Sequence, residues 1–258
     1  MRQIVFCDFD GTIAMHDTLD AIQDVYGPSD WRQRYSIMRR SGASARDTIR
    51  KTLESCKASP EQIEELIRGI DLRPGFEEFV GFVRSLGYEF IIQSEGIDLG
   101  IQIILHERGL DDIPYFTNRF VVNDEGRPST QNIHTHPDCP ICGNCKASHL
   151  IEARKAGAAI VYIGDGITDR CPAQIADVVF ARAELAEWCQ GRGMPFVRFE
   201  TFHDILSEFR KEDFEARLEA ESQRNLERKL KLPSRDFFEE NEVYQSARFP
   251  ADDDRNGS

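Results

Sequence analysis

Ile4-Val5-Phe6-Cys7-Asp8-Phe9-Asp10-Gly11-Thr12 is the stretch on which the fold turns. An apolar run of strand length ends in two aspartates one residue apart, and Gly-Thr follows at once. Such a run predicts a buried strand that delivers Asp8 and Asp10 at its carboxyl end. Paired carboxylates can hold a divalent cation, and the amides and hydroxyl of the Gly11-Thr12 turn can hold an anion. A phosphoryl group fits between them, with Asp8 placed to attack it. The alternative is a loop in which Asp10 caps a helix.

The partner of this stretch lies about 150 residues further along. Ala158-Ala159-Ile160-Val161-Tyr162-Ile163 predicts a second buried strand, and Gly164-Asp165-Gly166-Ile167-Thr168-Asp169 ends it with two more aspartates. Ligands of open α/β sheets sit beyond the carboxyl ends of strands, so the two acidic ends are expected to converge on one cation. Between them, Tyr88 to Gln93 predicts a strand ending at Ser94-Glu95-Gly96, whose hydroxyl suits a phosphate oxygen. Lys146 opens a helix through Leu150 and Ile151 and is placed to offset the charge of phosphate and carboxylates.

The order DFDGT, strand-Ser, Lys, GDGxxD over residues 4 to 169 resembles the haloacid dehalogenase superfamily of phosphatases. The resemblance implies that Asp8 is a nucleophile forming an aspartyl phosphate and that Asp10 is the acid/base. It implies that Gly11, Thr12, Ser94 and Lys146 bind phosphate, and that Asp8, Asp10, Asp165 and Asp169 form a Mg²⁺ site, Asp169 directly or in support. Covalent catalysis of this kind divides one hard step into two easier ones.

The alternation of strand and helix predicts a doubly wound parallel α/β sheet. Residues 14–74 carry helical patterning without a clear strand, with Leu19, Ile22 and Val25 on one face and Ser59-Pro60 opening a helix. They are expected to form a small helical cap inserted after the first strand, the catalytic core being residues 1–13 and 75–209. A hairpin is expected about Asn123-Asp124-Glu125-Gly126, and late strands at Val178 to Phe180 and Pro195 to Val197. Residues 204–232 read as one charged helix, an appendage that is solvated or docks on a partner subunit of a homodimer. The polar tail beyond Pro233 is expected to be disordered, so that residues 210–258 form a charged helix and tail.

The chain has 258 residues, 32 basic against 45 acidic, and a net charge of −13. That balance argues against nucleic acid and anionic membranes as partners and leaves a small phosphorylated metabolite as the expected one. No window is long and apolar enough to span a bilayer. Seven cysteines, with a strand beginning almost at the first residue, point to reduced thiols and a cytoplasmic location.

His134-Thr135-His136-Pro137-Asp138-Cys139-Pro140-Ile141-Cys142-Gly143-Asn144-Cys145 is a second unusual stretch. Cys139, Cys142 and Cys145 with His136 could wrap a zinc ion, or the stretch is a loop that shapes the site and positions Lys146. It is similar to two branches of the superfamily. One is the 2-hydroxy-3-keto-5-methylthiopentenyl-1-phosphate phosphatases of methionine salvage, and the other the phosphoethanolamine/phosphocholine phosphatases. Substrate choice is expected to lie with Asp17, Glu95 and Trp31. Asp17 pairs with a substrate ammonium or caps a helix; Glu95 recognises an amine or faces solvent; Trp31 walls the pocket or packs the cap. A non-catalytic binding protein and a phosphotransferase are the competing classes.

Overall fold

The computed structural model describes residues 1–225. Its centre is β1 (Gln3–Asp8), the predicted apolar run, which pairs in parallel with β2 (Glu89–Ile97) on one side and β5 (Ala159–Gly164) on the other. β5 is a nearly continuous apolar stretch, and β2 carries Phe90-Ile91-Ile92 ahead of its polar end, as expected for strands covered on both faces. The sheet continues through β3 (Tyr115–Val122) and β4 (Pro128–Gln131) at one end, and β6 (Val178–Ala181) and β7 (Val197–Arg198) at the other. The order is β4-β3-β2-β1-β5-β6-β7, parallel throughout except for the β3–β4 hairpin. Asn123 Oδ1 shapes that hairpin's turn by accepting from the Glu125 and Arg127 amides, each at 3.0 Å.

Four helices fill the space between β1 and the next core element: α1 (Thr18–Tyr26), α2 (Trp31–Arg40), α3 (Ala45–Glu54) and α4 (Pro60–Arg68). Asp17, Ser44 and Ser59 cap α1, α3 and α4, and Ser59 and Gln62 form a reciprocal capping box. Ile22, Leu53, Ile63 and Ile67 face inward, but Val25 is 57% exposed. Steps of three residues drift backwards round a 3.6-residue helix, so position 25 has rotated off the face that Ile22 shares with Gln23. The two chain crossings into this insert are tied together: Met15 N donates to Asp71 O at 2.9 Å, and Arg73 N to Ile13 O at 2.8 Å. The insert is also fastened along α3, where Arg46 N donates to Ile141 O at 3.1 Å and Ser129 Oγ on β4 donates to Glu54 Oε1 at 2.6 Å.

The remaining helices cover the sheet: α5 (Phe76–Ser85), α6 (Asp98–His106), α7 (Lys146–Lys155), the short α8 (Arg170–Ala173), α9 (Ala183–Gly191), α10 (Phe202–Phe209) and α11 (Phe214–Asn225). Phe76, Phe79, Phe90 and Phe202 pack together on one face of the sheet, edge-on except for the tilted Phe79–Phe202 pair. The single charged helix expected over 204–232 is corrected here, because the chain breaks between Phe209 and Phe214. Five residues along an unbroken helix, the two rings would point about 140° apart. The break lets them pack with centroids 4.1 Å apart, and both are buried in the core. Nor is α11 a solvated appendage, since Leu218 is buried and Ser222 Oγ accepts from the buried Arg154 at 2.9 Å. The expected tail beyond Pro233 lies outside the described residues.

Candidate active site

The carboxyl ends of β1, β2 and β5 meet under the helical insert. Asp8 ends β1, and the turn after β5 brings Asp165 and Asp169 to it. One ligand oxygen from each of these three residues lies within 4.8 Å of the others. Among the described residues no other set of three His, Cys, Asp or Glu side chains converges so closely. Lys146, at the start of α7, reaches in from the side. Its Nζ donates to Asp8 Oδ1 at 2.5 Å, Asp169 Oδ1 at 2.7 Å and Thr168 Oγ1 at 3.1 Å.

Burial pushes the Asp8 carboxyl well above the usual range, and the charge of Asp169 adds to this while Lys146 opposes it. Burial raises Asp165 too, again with help from Asp169, against the hydrogen bond from Thr12. Lys146 is held more basic than an ordinary lysine because its two carboxylate partners outweigh its desolvation. The cluster thus carries more negative charge than its one lysine neutralises. A divalent cation with oxygen ligands fits that donor set.

Asp169 is the most fully bonded of the three. Its Oδ1 accepts from Lys146 and from Tyr162 Oη at 2.5 Å, and its Oδ2 from the Asp165 and Gly166 amides, each at 2.9 Å. It therefore shapes the turn that presents Asp165. Tyr162 escaped sequence reasoning, although a tyrosine inside a continuous apolar strand needs a partner for its hydroxyl.

The turn after β1 is equally constrained. Gly11 has φ +76°, and a Cβ there would lie 2.5 Å from Asp165 Oδ2, so glycine alone fits. Thr12 Oγ1 donates to Asp165 Oδ1 at 2.8 Å. Two arginines hold the turn from behind: Arg73 donates to Gly11 O at 2.6 Å and to Thr12 O at 2.8 Å, and Arg182 to Gly11 O at 2.9 Å. Neither arginine stood out in the sequence as a site residue; the placement of Arg73 before Pro74-Gly75, where the insert ends, was the available signal.

Asp10, expected among the metal ligands, keeps its carboxylate outside the three whose ligand oxygens converge: Oδ1 accepts from Thr18 N at 2.8 Å and Thr18 Oγ1 at 2.6 Å, and Oδ2 from Ser94 Oγ at 2.8 Å. Ser94 faces the site as expected but is not past the strand end. β2 runs on to Ile97, and its register against β3 shifts between Gln93 and Ile97, across the Ser94-Glu95-Gly96 segment.

A cavity of about 300 Å³ opens over these groups. Leu19, Trp31, Ile49 and Leu53 give it an apolar wall, while Asp17, Asp20 and Glu95 add acid, and among the described residues no lysine or arginine lines it. Tyr35, Glu95 and Thr168 also line an adjoining outer chamber that Arg39 and Arg40 border. Asp17 is a helix cap, its Oδ1 accepting from Asp20 N at 2.9 Å, and it also lies on the cavity wall. Trp31 is buried against the insert and donates from Nε1 to Asp24 Oδ1 at 2.9 Å while lining the cavity. Glu95 is buried rather than solvent-facing: it lies on the cavity wall, and its two oxygens accept from backbone amides, Gly143 N at 2.6 Å and Asn144 N at 3.1 Å.

The expected zinc site is not supported: no three of Cys139, Cys142, Cys145 and His136 bring ligand atoms within 4.8 Å of one another. His136 instead accepts from Asp138 N at its Nδ1, within the loop. Cys139 packs with Ala45 and Ile141 against Trp188.

Comparison with known proteins agrees with this geometry. The family model described as "Putative Phosphatase" matches residues 3–191. The chain is 33% identical to the 2-hydroxy-3-keto-5-methylthiopentenyl-1-phosphate phosphatase of Brevibacillus brevis, over 80% of this chain and 94% of that one. It is 34% identical to the protein of the same name from Geobacillus kaustophilus, over 79% and 93%. Among solved structures, a phospho-aspartyl intermediate analogue of phosphoserine phosphatase superposes with TM-score 0.61 at 21% identity, covering 80% of this chain and 98% of that one. A haloacid dehalogenase family hydrolase from Salmonella enterica superposes with TM-score 0.65 at 19% identity, covering 81% and 72%. The chain belongs to this phosphatase family and has the haloacid dehalogenase fold.

Proposed function

We propose that the protein hydrolyses a small phosphomonoester through an aspartyl phosphate on Asp8. The observation that carries this reading is the convergence of Asp8, Asp165 and Asp169 about Lys146 at the strand ends, beneath a cavity of metabolite size. Asp8 attacks phosphorus through a carboxylate oxygen as the ester oxygen departs, and Asp10 gives that oxygen its proton. Asp10 then takes a proton from water, which attacks the acyl phosphate, frees inorganic phosphate and restores Asp8. Lys146, Ser94 and the Gly11-Thr12 turn hold the phosphoryl oxygens. Mg²⁺ held by Asp8 and Asp165, with Asp169 in support, would supply charge neutralisation.

The substrate favoured is 2-hydroxy-3-keto-5-methylthiopentenyl-1-phosphate, the compound in the names of the two curated relatives. The wall of Leu19, Trp31, Ile49 and Leu53 suits its apolar methylthio end. A second reading, an amine-bearing phosphate, is supported by the carboxylates of Asp17 and Asp20 on the same wall. All seven cysteines are free thiols, which supports a reducing compartment such as the cytoplasm. No helix among the described residues is long and apolar enough to cross a membrane.

Phosphate release from a panel of these esters, with Mg²⁺ and with EDTA, tests the proposal. Mg²⁺-dependent turnover of the methylthiopentenyl ester above phosphoethanolamine, phosphocholine and phosphoserine is the expected result. Preference for an amine ester would favour the second reading. No turnover across the panel would defeat both.

A further inference from the structure

Lys146 is buried, and it is the first residue of a helix with no side-chain cap. Something else must fix where that helix begins. The loop before it, Gly143-Asn144-Cys145, is bound to β2 by a buried polar junction. Each oxygen of Glu95 takes one of two successive amides, Gly143 N and Asn144 N. In return, the Asn144 side chain donates to Ser94 O and to Phe116 O, each at 2.9 Å. From the other side, Asn118 Nδ2 donates to Glu95 O at 2.6 Å and to Gly96 O at 3.1 Å, and Asn132 Nδ2 donates to Asn118 Oδ1 at 2.8 Å. The packing leaves no slack: a Cβ on Gly143 would lie 2.3 Å from Asn132 Nδ2 and 2.5 Å from Asn118 Oδ1.

We infer that Glu95 is a positioning residue for Lys146, holding the loop that starts α7 in register with Ser94 so that ammonium and hydroxyl meet one phosphoryl group. This rests on the reading of Lys146 and Ser94 as phosphate ligands. A carboxylate is needed because two parallel amide donors require two acceptor oxygens on one plane. An amide side chain offers one oxygen and one NH₂ group, so Glu95→Gln sets a donor against a donor and shifts the loop. Displacement of a catalytic group by about 1 Å costs on the order of 100-fold in rate.

The test uses the full chain with Mg²⁺ and measures kcat, KM, thermal midpoint and inorganic phosphate affinity by calorimetry. Wild type, Glu95→Gln, Gly143→Ala, Lys146→Met and the Glu95→Gln/Lys146→Met pair are compared. Both single changes at the junction are expected to lower kcat roughly 10- to 100-fold with the protein still folded. Phosphate affinity should fall in Glu95→Gln, and the double variant should bind phosphate no more weakly than Lys146→Met alone, because the two changes act through one group. Wild-type kcat in Glu95→Gln, or equal losses of affinity in both lysine backgrounds, would overturn the assignment. An inactive wild type would instead defeat the phosphatase reading itself.

Discussion

Lys146 and Asp8 are 138 residues apart and meet in a buried ion pair of 2.5 Å, with Asp169 on the same ammonium. One cation thus joins the end of β1 to the turn after β5. Breaking a buried pair by deleting one partner leaves an uncompensated charge and costs about 3–5 kcal/mol. Lys146→Met is therefore expected to destabilise the metal-free protein by about that amount and to abolish turnover. Urea titration in EDTA measures the first effect and phosphate release the second. Unaltered stability would mean that the carboxylates do not depend on this lysine.

Asp8→Asn keeps the shape of the side chain and removes the nucleophile. Turnover is expected to fall by at least roughly 10³-fold, as for other nucleophile deletions, with the circular dichroism spectrum unchanged. Activity at the wild-type level in a homogeneous preparation would take Asp8 out of the reaction.

Mg²⁺ is expected to stabilise the fold, because it binds carboxylates that only the native chain gathers. At a hundred times its dissociation constant the gain is about 2.7 kcal/mol, read as a rise in thermal midpoint that grows with concentration. Asp165→Asn should remove most of that rise. A variant that keeps the full response would place the ion elsewhere.

Glu95 makes stability depend on pH. Burial raises its carboxyl to about 7 against the two amide bonds and the charges of Lys146 and Arg39. Between about 4.5 and 7 the native carboxyl therefore holds a proton that the unfolded chain has given up, and only above that window are both oxygens free to accept from the two amides. Its contribution is fully present below the unfolded value and is lost as pH rises through the native one. Relative to Glu95→Gln, the wild type is expected to lose on the order of 3 kcal/mol between pH 4.5 and 7. Parallel stability curves for the two proteins across that window would contradict this.

Cys142→Ser is expected to leave the thermal midpoint within a few degrees and the metal content unchanged. Elemental analysis of the purified protein should show no stoichiometric zinc. One zinc per chain, lost in the variant, would reinstate a metal role for the loop.

Much of the site was legible because its acids stand where apolar strands stop. Asp8, Asp165 and Asp169 needed only the pattern of run and terminus. What the pattern could not carry was the pairing between distant segments. Nothing local marks Tyr162 as the donor to Asp169, or Arg73 and Arg182 as joint donors to Gly11 O. Glu95 looked like a group in search of a cation because its acceptors face amides 48 and 49 residues away. Val25 and the α10–α11 break were misjudged for a different reason. Helical phase drifts over six residues, and the pull of Phe209 and Phe214 toward one core outweighs the helix-forming bias of the residues between them.

The fastening of α3 to Ile141 and Ser129 has a bearing on modularity. An insert joined to its host only at two adjacent crossings is a cassette that can be exchanged without loss to either part. Here the insert leans on the β3–β4 hairpin and on the loop before Lys146, so the three segments are packed as one unit. A chimaera that takes residues 14–74 from a relative must take the hairpin and that loop from the same parent.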